Sequence, residues 1–157
     1  PLSDKKPQGL LRFGFRLPVW LYRWHLGWVL GERFLLLIHT GRKSGIPHQT
    51  VIEVVGHNRS TDTYYVVSGF GRKADWFLNI QQDPHVSITV GRRTVSVRAT
   101  QISEETGAKI LFDYAKHHPL AFRELSTILI GRSIEPTEEN CRQFLESLPM
   151  VAFEPAT

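Results

Sequence analysis

Cysteine is nearly absent. Cys141 is the only one among 157 residues, which excludes an internal disulfide and any cysteine-based zinc cluster, and fits a reducing compartment. No uninterrupted apolar run is long enough to span a bilayer. The most apolar stretch, LLRFGFRLPVWLYRWHLGWVLG, is broken by Arg12, Arg16, Arg23 and Pro18, so an amphipathic segment lying on a surface is expected there instead of a spanning helix. There is no secretory signal pattern, and no internal repeat or low-complexity block. The nucleotide signatures GxxxxGK[ST] and GxGxxG after a strand are missing. The seven histidines are scattered along the chain. His117 and His118 stand at a helix end ahead of Pro119, where a cation is favourable, and no metal site is expected. Charge of one sign is only mildly in excess: 19 Lys and Arg against 15 Asp and Glu give a formal +4. That balance favours anionic partners without choosing among phosphates, carboxylates, nucleic acid and lipid.

What is present reads as one domain, 1–157, of the α+β class. Residues 1–31 form a helical segment, 32–102 a barrel core, and 103–157 helices followed by a last strand. Residues about 9–31 suit a helical hairpin or a kinked helix, since Pro18 begins a helix well and breaks one badly. From Arg33 the runs RFLLLIHT, TVIEVV and TYYVVSG are β-rich, and HVSITV and RTVSVRAT alternate apolar and polar residues around a turn. DWFLNIQQDP reads as a short inserted helix with Asp75 as its cap and Asp83-Pro84 as its stop. Ser103 caps a helix to about His117, Thr137 caps EENCRQFLESL, and MVAFEP closes the pattern as a strand. Mostly antiparallel strands in succession favour a small closed barrel over an open sheet.

Two basic, glycine-flanked loops follow strands. GRKSG joins Gly41, Arg42, Lys43, Ser44 and Gly45, and SGFGRKADW joins Ser68, Gly69, Phe70, Gly71, Arg72, Lys73, Asp75 and Trp76. Glycines let backbone N–H groups converge, arginine offers a fork of donors, and lysine offers a point charge. Either loop alone reads as a solvated turn. Two at one barrel rim favour a groove for an extended anion. A nucleic-acid face is disfavoured, because in VGRRTVSVRAT, which carries Arg92, Arg93 and Arg98, the first two sit at a turn and the flanking strand faces lack aromatics.

LLLIHTGRKSGIPHQTVIEVV, YYVVSGFGRKADWFLNIQQDPHVSITVG and LPMVAFEP together resemble the deazaflavin-dependent nitroreductases, also called F-420-dependent quinone reductases, from about Pro18 to Pro155. The resemblance implies a split β-barrel of the FMN-binding, flavin-reductase-like type. It implies reduced coenzyme F-420 as hydride donor and a quinone, nitroaromatic or similar electrophile as the small-molecule acceptor. It assigns the phosphate of the cofactor tail to Arg42, Lys43 and Ser44 between Gly41 and Gly45. It lays Val67, Ser68, Gly69, Phe70, Gly71, Arg72 and Lys73 along the ring and ribityl chain, with Ile46 and Pro47 near the ring and Asp75 and Trp76 beside them. Where the family often has a further cation, this chain has His48, whose usual pKa leaves it partly charged at neutral pH. Ser68 and Tyr114 are the side chains considered as proton donors, and for Tyr114 packing against the barrel is the preferred reading. FMN is the alternative cofactor, and non-catalytic F-420 binding the alternative function. The expected location is cytoplasmic. Trp20, Tyr22, Trp24 and Trp28 either cover a barrel face, the preferred reading, or make peripheral contact with the inner face of the membrane. A homodimer and a monomer both remain open.

Overall fold

The computed structural model describes residues 32–69 and 71–156. The expected helix over 9–31, and with it the membrane contact, lies outside the described residues, as does Phe70. Among the described residues the strands are β1 (Phe34–Thr40), β2 (Pro47–Asn58), β3 (Thr63–Val67), β4 (His85–Val90), β5 (Arg93–Gln101) and β6 (Met150–Pro155). All neighbours are antiparallel, and the order β1-β2-β3-β6-β5-β4 closes into a barrel. The helices are α1 (Asp75–Gln82), α2 (Glu104–His117), α3 (Pro119–Ile130) and α4 (Glu138–Ser147).

The period-two pattern of the strands explains the closure. Side chains alternate across a strand, so one set from each points inward. Leu35, Leu37, Val66, Ile88, Val97 and Phe153 fill the interior at 2% exposure or less. Each such burial stabilises the fold by about 1.5–3 kcal/mol. A second apolar cluster lies outside the sheet, where Val55 and Val67 meet Leu111, Phe122, Phe144 and Leu145 of α2, α3 and α4. The β2 register shifts between Val54 and Gly56. Just before it, the ordinary alternation lets consecutive residues serve both cores, Val54 inside and Val55 outside. Gly56 is required there, because a Cβ would come 2.8 Å from Ile110.

The caps are local chemistry. Ser103 Oγ accepts from the Thr106 amide at 3.2 Å, and Thr137 Oγ1 from Asn140 at 3.1 Å, each satisfying one orphan N–H. The expectation that Asp75 caps α1 is corrected. Ala74 holds the cap position without a side-chain bond, and Asp75 is the first helical residue. Its carboxylate still faces the positive end of the helix, and it pairs with Arg42.

The topology places the two basic loops at one rim. β1 runs into Gly41–Ile46 and returns as β2. β4 is antiparallel to β1, so it starts at that rim, and α1, just before it, covers the opening with Trp76, Phe77 and Ile80 in the barrel core. The opposite rim carries the β2–β3 and β4–β5 turns. Arg93 reaches from one turn to Asp62 of the other at 3.4 Å. His57 bonds Asp62 at 2.9 Å and stacks on Tyr64 at 4.0 Å.

Candidate functional site

Loop Gly41–Ile46 is closed on itself. The Gly41 amide donates to Ile46 O and the Gly45 amide to Gly41 O, both at 2.9 Å. Gly45 has φ +70°, a left-handed conformation that costs a residue with a Cβ about 1–2 kcal/mol. Gly41 lies beneath Ser44 and His48, and a Cβ there would come 2.5 Å from Ser44 Oγ and 2.9 Å from His48 Nε2. Ser44 Oγ accepts from the Ile46 amide at 3.2 Å, which leaves its own hydrogen to donate elsewhere.

The two cations of this loop have different surroundings. The Arg42 amide donates to Asn79 Oδ1 at 3.0 Å, its Nη1 donates to the same oxygen at 2.9 Å, and its Nη2 lies 3.5 Å from Asp75. Lys43 is exposed and has no ion pair among the described residues. The amides of Lys43 and Ser44 likewise have no acceptor among the described residues. One ammonium, two backbone N–H groups and one hydroxyl thus stand together on exposed residues. That donor set suits a tetrahedral oxyanion. Beside it Ile46 is 59% exposed and Pro47 is exposed, an apolar shoulder next to a polar cradle.

The second loop is built on internal bonds. Ser68 is fully buried, its amide donates to Pro149 O at 2.9 Å, and its Oγ donates to Gly71 O at 2.6 Å. Its proton therefore holds the turn. Gly71 has φ 68°. Gly69 touches α3 so closely that a Cβ would come 2.8 Å from Leu129. Arg72 Nη1 donates to Glu146 O at 2.7 Å, tying the loop to α4. Lys73 is exposed. Val67 packs in the outer cluster and Trp76 in the barrel core, so both side chains serve packing.

His39 and Asn79 belong to this rim and were not among the sequence candidates. Asn79 is 3% exposed and meets His39 Nδ1 at 2.9 Å. His39 stacks on His48 with centroids 5.7 Å apart. Burial, then the neighbouring His48, lowers the His39 pKa to about 4, against the opposing pull of Asp75. The available signal was an asparagine among the buried residues of DWFLNIQQ.

The structure does not bring Tyr114 to this rim. It sits on α2 in the outer cluster, near Glu53, which pairs with Phe34 at the start of β1. Glu53 lies six steps along β2 from Pro47, about 20 Å of strand. Tyr114 Oη is buried, with no close hydrogen bond among the described residues; burial, then the Glu53 charge and its hydrogen-bonding carboxylate, raise its pKa. Burial raises Glu53 as well, although Arg33 lies 3.6 Å away. Among the described residues no group of three or more His, Cys, Asp or Glu could hold a metal.

Residues 15–124 match the family described as F-420H(2)-dependent quinone reductase. The chain belongs to that family. Solved structures agree on the fold. One described as an F-420-H2 dependent reductase (FDR-A) is 20% identical, with 79% of this chain and 96% of that one covered and a TM-score of 0.54. A pyridoxamine 5'-phosphate oxidase described as putative, from Listeria innocua, is 14% identical over 87% and 94%, with a TM-score of 0.52. The split barrel expected from the sequence is thus the observed fold. As an F-420H(2)-dependent quinone reductase family member, the protein is an oxidoreductase whose cofactor is coenzyme F-420. The donor set at Lys43 and Ser44 fits the phosphate of that cofactor's tail, and a modest positive charge suits its anionic length.

Proposed function

We propose that this protein reduces a quinone, a nitroaromatic or a similar electrophile, holding F-420 across the rim formed by its two glycine-flanked loops. When bound, the cofactor supplies the hydride. The protein supplies alignment and electrostatics, which suffice when a cofactor carries the difficult step. Lys43, Ser44 and the two outward amides hold the tail phosphate, and Ile46 and Pro47 offer an apolar edge toward the ring. The Ser68–Lys73 turn, fixed by Ser68 and Arg72, forms the other wall. Ser68 is committed to Gly71 O and Tyr114 sits on the outer face, so a proton required by the acceptor comes from water. The observation that carries this reading is the donor set of Lys43 and Ser44, unpaired among the described residues.

Fluorescence titration with F-420 and, separately, FMN tests it. Micromolar or tighter F-420 binding with turnover of a quinone supports the reading. FMN binding in its place would keep the barrel and change the chemistry, and binding without turnover would make the protein a carrier. The acceptor also bears on the N-terminal aromatics. Trp20, Trp24 and Trp28 beside Arg16 and Arg23 suit the interfacial layer from which a membrane quinone would be drawn. No helix among the described residues is long and apolar enough to cross a membrane, and cosedimentation with anionic vesicles tests the peripheral contact. A structural neighbour described as a domain-swapped dimer makes a homodimer worth testing by light scattering.

A further inference from the structure

Asn79 is a polar side chain on the buried face of α1, with Trp76, Phe77 and Ile80 beside it. Leucine has nearly the same shape and would fill the same space, so packing does not account for an amide here. Its bonds do. Oδ1 accepts from both the Arg42 amide and Arg42 Nη1. Two N–H donors converging on one atom require it to be the oxygen, so the other end is the NH2 group. That NH2 faces His39 Nδ1 at 2.9 Å. His39 Nδ1 must then accept, which makes the imidazole neutral with its proton on Nε2. One carboxamide thus joins the end of β1, the anion loop and α1, and it fixes a peptide, a guanidinium and a tautomer together.

We infer that Asn79 is a positioning residue for the anion loop, acting through Arg42. It pins the Arg42 amide inward, and the turn that follows directs the Lys43 and Ser44 amides outward. Asp75, 3.5 Å from Nη2, steadies the guanidinium from the same helix. Arg42 is then a strut between the loop and α1, while Lys43 presents the charge. This assignment rests on the reading of the loop as the F-420 phosphate cradle.

A double-mutant cycle in F-420 binding tests it. Asn79→Leu and Arg42→Ala should each weaken binding roughly ten-fold or more, and the double variant should bind about as the weaker single does. Losses that simply multiply would overturn the assignment, because Asn79 would then act independently of Arg42. Asn79→Leu that folds and binds as wild type would overturn it too. A second measurement needs neither cofactor nor variant. In the wild-type protein, 15N NMR should find His39 Nδ1 unprotonated from about pH 5.5 to 7.5 and the Arg42 amide protected from exchange. A protonated Nδ1 or a freely exchanging Arg42 amide overturns the assignment even if the variants do not fold. Wild-type protein that binds no F-420 would instead sink the functional reading, with the NMR result still deciding the role of Asn79.

Discussion

Arg42 and Lys43 are adjacent in sequence, and their partners separate their roles. Arg42 is bonded to Asn79 and paired with Asp75; Lys43 has no ion pair among the described residues. Lys43→Ala should therefore weaken F-420 binding by about 1.5–3 kcal/mol, the worth of a charge-assisted contact. Titration at low and high salt should show a smaller salt dependence in that variant than in wild type. Tyr114 gives the opposite kind of prediction. Its hydroxyl is buried with the Glu53 carboxylate as its polar neighbour, so Tyr114→Phe changes the outer core and leaves the rim untouched. Urea unfolding should find the variant within about 1 kcal/mol of wild type, the net worth of one hydrogen bond, with quinone reduction unchanged. A large loss of turnover in folded Tyr114→Phe would return the tyrosine to the chemistry.

At the scale of elements, most boundaries are set by short-range signals, and these were readable. Ser103 and Thr137 cap as their positions predict, and the alternation in HVSITV becomes the burial pattern of β4. Thr137→Ala should cost about 1 kcal/mol and lower the melting temperature by about 2–4 °C. F-420 affinity should hold, since Thr137 caps the opposite end of α4 from Glu146, whose carbonyl accepts from Arg72. What stayed hidden depends on register or on partners distant in sequence. Asn79 meets Arg42 and His39 across 37 and 40 residues, and no local rule pairs them. Tyr114 packs in the outer cluster, as its preferred reading has it, and only the strand it meets there is left open by its helical pattern. Asp75 looked like a cap because it opens an apolar run; Ala74 took that position, and the carboxylate serves Arg42. Ser68 looked available, yet a turn only three residues long consumes its proton.

At the scale of the whole molecule, the rim makes stability depend on pH through His39. Its pKa falls from the ordinary 6.5 to about 4 in the folded protein. The unfolded chain takes up a proton below about pH 6.5 that the folded chain refuses until about 4, so acid favours unfolding across that window. Urea midpoints should drop between pH 7 and pH 5, and by less in His39→Asn, which keeps an acceptor for Asn79. Glu53, with its raised pKa, pushes the other way in both proteins and cancels from the comparison. The ring itself has a consequence for biosynthesis. β6 lies between β3 and β5, yet it is the last strand in chain order. While a ribosome is still making the chain, the other five strands can only be an open sheet with two unpaired edges, both prone to pairing with another chain. Loop Gly41–Ile46 is made early, but the Ser68 amide has no Pro149 carbonyl to bond until translation has reached that residue. The rim that carries both loops is therefore completed late in synthesis, and a nascent chain stalled before β6 is a species for chaperones.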